Sequence, residues 1–338
     1  MHFLITGHTG FKGAWLSLIL QQRGHLVSGI SLEPEVGSLY EGARIGKFLE
    51  NDVRCDIRES AKISSHFKDI NPDVVIHLAA QALVRESYKH PVSTMETNVL
   101  GTLNVLNASQ QISDLKAQLI ITTDKVYKNT SKASGYVETD PLGGQDPYSA
   151  SKAMADIATQ SWLFSFENSP TAIARAGNVI GGGDVCLDRL MPDLIRSYAS
   201  GLTPKLRAPN NIRPWQHVLD CLNGYLLLID AMIQEDTNGA WNFGPDENSV
   251  HSVKDVVREC ISNWGSNIAI ELHESDVHEA GLLQLNCDKA RQELQWSPRW
   301  DFKRTFQETT EWYKRASQGE HVGAITLEQI TRYEETPR

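Results

Sequence analysis

The sequence predicts an α/β fold: a doubly wound parallel sheet with a smaller C-terminal α/β domain. Three observations predict it. A glycine turn, Gly7-x-x-Gly10-x-x-Gly13, stands between a short apolar strand and a helix. The stretch DVVIHLAAQ, after Pro72, is apolar on both faces, as a strand covered by helices on either side must be. Strands and helical stretches alternate through the first half of the chain, which is the pattern of parallel strands joined by crossover helices.

The elements follow in order. His2 to Thr6 reads as the first strand, and the helix after the glycine turn carries apolar residues at Trp15, Leu16, Ile19 and Leu20. Gly24 is placed to end that helix, and a second strand runs from His25 to Leu32. Strand, glycine turn, helix, strand is the dinucleotide-binding unit of a Rossmann sheet, in which the glycines let the backbone approach a pyrophosphate at the helix N-terminus. The acidic residue expected at the end of the second strand is absent. Ser31 takes its place, with Glu33 two residues on and no arginine in the segment to hold a 2′-phosphate, so NAD is expected rather than NADP. Cys55-Asp56-Ile57-Arg58 closes a third strand, where Asp56 is placed either to meet an adenine or to cap the next helix. DVVIHLAAQ ends on Ala79-Ala80-Gln81, small enough to let a cofactor pass close, and His77 within it reads as a core histidine. A helix over TNVLGTLNVLNAS leads to QLIITTDKVY, a strand whose end carries Thr123, Asp124 and Lys125. Ligands bind beyond the carboxyl ends of the strands in such sheets.

The chain has 338 residues, 41% of them hydrophobic and 22% charged, with a net charge of −10. That composition is globular, and an acidic chain has no overall field for nucleic acid. Of the five cysteines none forms a Cys-x-x-Cys pair, so a reduced, cytoplasmic protein with no metal site is expected. Gly7, Gly10 and Gly13 break up the only N-terminal stretch resembling a signal peptide, and no apolar run is long enough for a bilayer, so no membrane association is expected.

After the loop GYVETDPLGGQDP come Tyr148 and Lys152, four residues apart and therefore on one face of a helix. A phenol titrates near pH ~10. A lysine ammonium and a cationic nicotinamide nearby favour the phenolate, which can then take a proton from a sugar hydroxyl as hydride leaves.

With these motifs the chain resembles the extended short-chain dehydrogenase/reductase family and, within it, the CDP-glucose 4,6-dehydratases. The resemblance runs nearly end to end, through TGHTGFKGAWLSLIL, HLAAQALVRESY, TNVLGT, TTDKVY, GYVETDPLGGQDPYSASKA, ARAGNVIGGGD, DRLMPDLIR, NNIRPWQHVLD, WNFGP and SPRW. It implies an NAD-dependent enzyme converting CDP-glucose, or a related sugar nucleotide, to the 4-keto-6-deoxy sugar. In the first motif it implies cofactor contacts at Gly7, Thr9, Gly10, Phe11, Lys12 and Gly13. Further contacts fall on Ser31, Asp56, Ile57, Leu78, Ala79, Ala80 and Gln81, with Asn98, Tyr148 and Lys152 completing the set. Thr123 matches the hydroxyl that binds the carbon 4 oxygen, where serine is common, and Asp124 matches the acid for the carbon 6 hydroxyl. Lys125 stands where many relatives carry glutamate and is expected to be the carbon 5 base, although Asp124 beside it favours the ammonium. Arg85, Asn178, Arg189, Arg213 and His278 fall on substrate-binding segments, the guanidiniums suiting a diphosphate. Trp215 and Trp241 are expected to be packing residues.

Two interleaved domains are expected: residues 1–180 with about 214–240 for NAD, and 181–213 with 241–338 for the nucleotide sugar. The resemblance also implies a homodimer paired through the helices bearing TNVLGT and Tyr148. The same scaffold serves UDP-, dTDP- or GDP-sugar dehydratases and 4-epimerases. A non-catalytic nucleotide sensor is the reading from another class.

Overall fold

The computed structural model describes residues 1–166, 171–187, 189–207, 209–246, 250–265, 271–273 and 283–337. The strands among them are β1 (His2–Thr6), β2 (Leu26–Ser31), β3 (Asn51–Arg54), β4 (Val74–His77), β5 (Ala117–Ile121), β6 (Thr171–Ala176), β7 (Asn178–Ile180), β8 (Lys205–Arg207), β9 (Ile212–His217), β10 (Gly239–Phe243), β11 (Val250–Ser252) and β12 (Glu271–His273). Seven of them form one sheet in the order β10-β6-β5-β4-β1-β2-β3. Every pairing in it is parallel. This is the doubly wound sheet the sequence predicts. Its order reverses between β1 and β4, which opens the crevice where such sheets bind ligands.

Both faces of the sheet are buried. Leu4, Ile30 and Val75 point into one core with Ile63, Phe67 and Val105. Their strand neighbours Phe3, Ile5, Val74 and Ile76 point into the other, larger core with Trp15, Leu222 and Tyr225. That two-sided burial explains why β4 reads as an unbroken apolar run.

The smaller sheets hold β7, β9 and β11, and β8 with β12. β10 departs from the expected domain boundary at 240/241, because it pairs with β6 and completes the central sheet. The C-terminal helix Val322–Glu335 also returns to the first domain, where Glu334 pairs with Arg23 at 3.1 Å. No helix among the described residues is long and apolar enough to cross a membrane.

Candidate active site

The glycine turn builds the floor of the crevice. Gly7 has a φ of +80°, and a Cβ there would lie 2.7 Å from the Ala79 backbone nitrogen. A Cβ on Gly13 would lie 2.3 Å from the Gly7 carbonyl oxygen, so the helix Phe11–Gln22 can pack this close only without one. Gly10 is its N-cap and caps it with no side chain, which leaves helix N–H groups open to an anion. A cradle that side chains would fill fits a dinucleotide pyrophosphate. Phe11 borders this floor against Gly181, while Lys12 donates to the Tyr225 hydroxyl at 3.2 Å.

Hydroxyls gather where a ribose is expected. Thr9 and Ser31 hydrogen-bond at 2.7 Å, at the end of β2. Register across the sheet sets Arg54 directly beside Ser31, so an arginine does stand there, contrary to the sequence expectation. It is committed elsewhere: NH1 donates to Asp52 at 2.6 Å, NH2 to the Tyr40 hydroxyl at 3.0 Å, and Nε to Glu33 at 3.2 Å. Past β3, Asp56 is clamped by Arg58. The Ile57 side chain turns inward and packs on Gly101. Leu78, Ala79, Ala80 and Gln81 are half-buried at the end of β4.

Gln81 leads from there to the helix that bears Tyr148. Asn98 accepts from the Gln81 N–H at 2.8 Å and donates both to its carbonyl at 3.0 Å and to Ser151 Oγ at 2.8 Å. Asn98 lies in a π turn, Glu96–Leu100, inserted between α-helical stretches. Such an insertion re-aims side chains and is frequent at functional sites. Ser151 in turn donates to the Tyr148 carbonyl at 2.7 Å.

Tyr148 and Lys152 lie on the helix Pro147–Ser165, which begins with proline at its first position and Asp146 as N-cap, accepting from Ser149 N–H at 2.9 Å. Lys152 Nζ donates to the Ile121 carbonyl at 2.7 Å. Its burial and the nearby Lys12 bring its pKa down to about 8 against the pull of Asp156. Burial pushes the Tyr148 phenol up to about 12, while its hydrogen bond to Thr123 and the Arg189 charge pull it back. β5 stops at Ile121, and Thr123 caps a single 3₁₀ turn over Asp124–Val126. Thr123 Oγ1 donates to Asp124 Oδ1 at 2.8 Å. Both residues are buried, and burial raises the Asp124 carboxyl although Lys125 and Arg213 draw it down. Lys125 is half-buried beside it. The arrangement is thus a phenol, a hydroxyl, an ammonium and a carboxyl held toward its protonated form, gathered at the ends of neighbouring strands.

A family model described as GDP-mannose 4,6 dehydratase matches residues 4–309. The chain belongs to that family. It is 40% identical to the CDP-glucose 4,6-dehydratase of Salmonella typhimurium, over 97% of this chain and 95% of that protein. The crystal structure of dTDP-glucose 4,6-dehydratase from Bacillus anthracis in complex with NAD superposes with a TM-score of 0.81 at 24% identity, over 94% of this chain and 98% of that one. The UDP-glucose 4-epimerase of Thermus thermophilus in complex with NAD reaches 0.82 at 23% identity, over 94% and 100%. At these identities the two structures speak for the fold.

In this GDP-mannose 4,6 dehydratase family member, the expected substrate residues come from several segments. Asn178 opens β7 opposite Trp215, and Arg189 precedes the helix Leu190–Ala199, paired with Asp184 at 2.8 Å. Arg213 lies on β9, and Arg85 is half-buried on the helix Val84–Lys89. His278 lies outside the described residues. Trp215 and Trp241 are buried packing residues, and His77 is buried with hydrogen bonds to Thr6 and Thr102.

The sequence reading did not single out the buried groups near Lys152 and Asp124. Asp156 and Arg175 are both fully buried and joined at 2.8 and 2.7 Å, and Thr122 donates to the same carboxylate at 3.0 Å. Asp156 follows Lys152 by one helical turn, which is the one signal the sequence offered. Gly177 also lies against the site, where a Cβ would stand 3.2 Å from Asp124 Oδ2.

Proposed function

We propose that this chain is a CDP-glucose 4,6-dehydratase that uses NAD and yields CDP-4-keto-6-deoxyglucose. The buried Thr123–Asp124 pair beside Tyr148 carries the reading, because a 4-epimerase needs no acid at carbon 6. The 40% identity to a CDP-glucose 4,6-dehydratase supports the nucleotide and the hexose. The relatives solved with NAD, together with the glycine cradle, support the cofactor. Gly7, Gly10 and Gly13 would hold its pyrophosphate, and Thr9 and Ser31 its ribose.

When bound, NAD supplies the hydride acceptor for carbon 4, a positive charge beside Tyr148 and the hydride that returns to carbon 6. Tyr148 takes the proton of the carbon 4 hydroxyl, and Thr123 holds that oxygen. Lys152 keeps a cation behind the phenol. The ketone acidifies carbon 5, and Lys125 takes its proton. Asp124 gives a proton to the carbon 6 hydroxyl, which leaves as water, and Lys125 returns its proton to carbon 5. Arg189 and Arg213 would neutralise the diphosphate.

The domains divide as 1–180 with about 214–243, and 181–213 with 244 onward, the boundary moved to keep β10 in its sheet. We assign a homodimer on the exposed apolar side chains Leu100, Met154 and Ile157, which lie on the two helices expected to pair. Incubation with NAD⁺ and, separately, CDP-, UDP-, dTDP- and GDP-glucose tests the assignment. Loss of one water from CDP-glucose, by mass, is expected. Product from another nucleotide alone overturns the substrate, and inversion at carbon 4 without loss of mass makes the chain an epimerase.

A further inference from the structure

Gly177 is the single residue between β6 and β7, where the chain leaves the central sheet for a smaller one. On one side, the Thr122 N–H donates to the Ala174 carbonyl at 2.9 Å, which sets β6 beside the strand end that carries Thr123 and Asp124. On the other, β7 pairs with β9 and places Asn178 opposite Trp215. Gly177 thus stands between Asp124 and Pro214. A Cβ on it would lie 3.2 Å from Asp124 Oδ2, 3.7 Å from Asp124 Cγ and 3.8 Å from Pro214 Cγ. Its φ is not positive, so the backbone does not call for glycine here. What the missing side chain provides is room. Ala176 before it is buried and Gly177 is half-buried, so the chain reaches the rim at this point. The two oxygens of Asp124 are not equivalent either. Oδ1 accepts from Thr123 Oγ1 at 2.8 Å. A neutral carboxyl whose Oδ1 accepts carries its proton on Oδ2, the oxygen that Gly177 faces.

We propose that Gly177 is a positioning residue for the loss of water: by lacking a side chain it leaves Asp124 Oδ2 open to the carbon 6 hydroxyl and in place to protonate it. The inference rests on the dehydratase reading above, with Asp124 as the acid. In that step the proton on Oδ2 passes to the carbon 6 hydroxyl, and the bond from carbon 6 to oxygen breaks as water leaves with its electron pair. The pair of the carbon 5–hydrogen bond becomes the second bond between carbons 5 and 6, and its proton goes to Lys125. Oxidation at carbon 4 uses Tyr148 and Thr123 and does not need the room at Gly177. A methyl at 177 therefore acts on one step of the reaction and not on the other.

Single-turnover mixing of the full chain, loaded with NAD⁺, with CDP-glucose tests this in G177A and G177V. Bound NADH is read by absorbance, and loss of water by quenching and mass. Carbon 4 oxidation is expected to run close to the wild-type rate in both variants. Loss of water is expected to slow about tenfold in G177A and ~10²-fold in G177V, since a reacting group misplaced by about 1 Å can cost ~10²-fold. NADH and the 4-keto hexose should therefore build up above the wild-type level. Adding G177A to D124N should bring little further loss, because both changes act on one proton transfer. Equal slowing of both steps in G177A overturns the inference, as does loss of water at the wild-type rate. A G177A effect that persists in full in the D124N background also overturns it. A wild type that loses no water from CDP-glucose overturns the dehydratase reading, and this inference with it.

Discussion

Asp124 and Lys152 are both moved by burial, in opposite directions that suit their proposed roles. A carboxyl raised by burial keeps its proton for the leaving hydroxyl, and D124N is therefore expected to lose about 10²–10⁴-fold in dehydration. Oxidation at carbon 4 should survive in it, and the stalled ketone can be trapped by borohydride. Lys152 titrates at about 8, so its ammonium is present below that pH and lost above it. The rate of carbon 4 oxidation is expected to fall as pH rises past about 8, and K152R, which stays charged, should move that limb upward. Lys125 is the residue most open to refutation, since a K125M variant with full dehydration would remove it from carbon 5. The charged pair at the strand end was legible from sequence because both residues are local to one motif. Arg54 beside Ser31 was not, because strand register joins residues far apart in the chain.

At the scale of elements, the glycine turn, β4 and the helix from Pro147 were readable because periodicity, proline and glycine act locally. The return of β10 to the sheet edge was not, since a short apolar strand carries no sign of its partner. Another long-range tie is Asp220, on the helix Val218–Glu235, which accepts from Arg299 N–H and the Tyr333 hydroxyl, each at 2.7 Å, and so clamps the C-terminal helix. Burial pushes its carboxyl up to about 7. The folded state then binds the proton more tightly than the unfolded chain does, so this group's contribution to stability is full below the ordinary carboxylate range and is lost as pH rises toward 7. D220N should flatten that part of a stability–pH curve followed by urea unfolding.

At the scale of the whole molecule, Leu100, Met154 and Ile157 are among the exposed apolar side chains of the described residues. Ile157 is 53% exposed on the catalytic helix, on the side assigned to the partner. Light scattering is expected to give a dimer for wild type and a monomer for I157E, and a monomeric wild type contradicts the assignment. The ends of β5 and β6 of the doubly wound sheet meet β9 of a smaller sheet and two helices at one rim. Motif by motif the sequence named the groups proposed to react, but not the buried Asp156–Arg175 pair or the Gly177 gap near them, because only the fold brings those together.

The central claim is that hydride leaves carbon 4 and returns to carbon 6 of the same hexose. CDP-glucose deuterated at carbon 4, turned over with NAD⁺ and read by NMR, tests it directly. The account predicts deuterium on carbon 6 of a 4-keto-6-deoxy product. Deuterium retained at carbon 4, or lost without appearing at carbon 6, would contradict it.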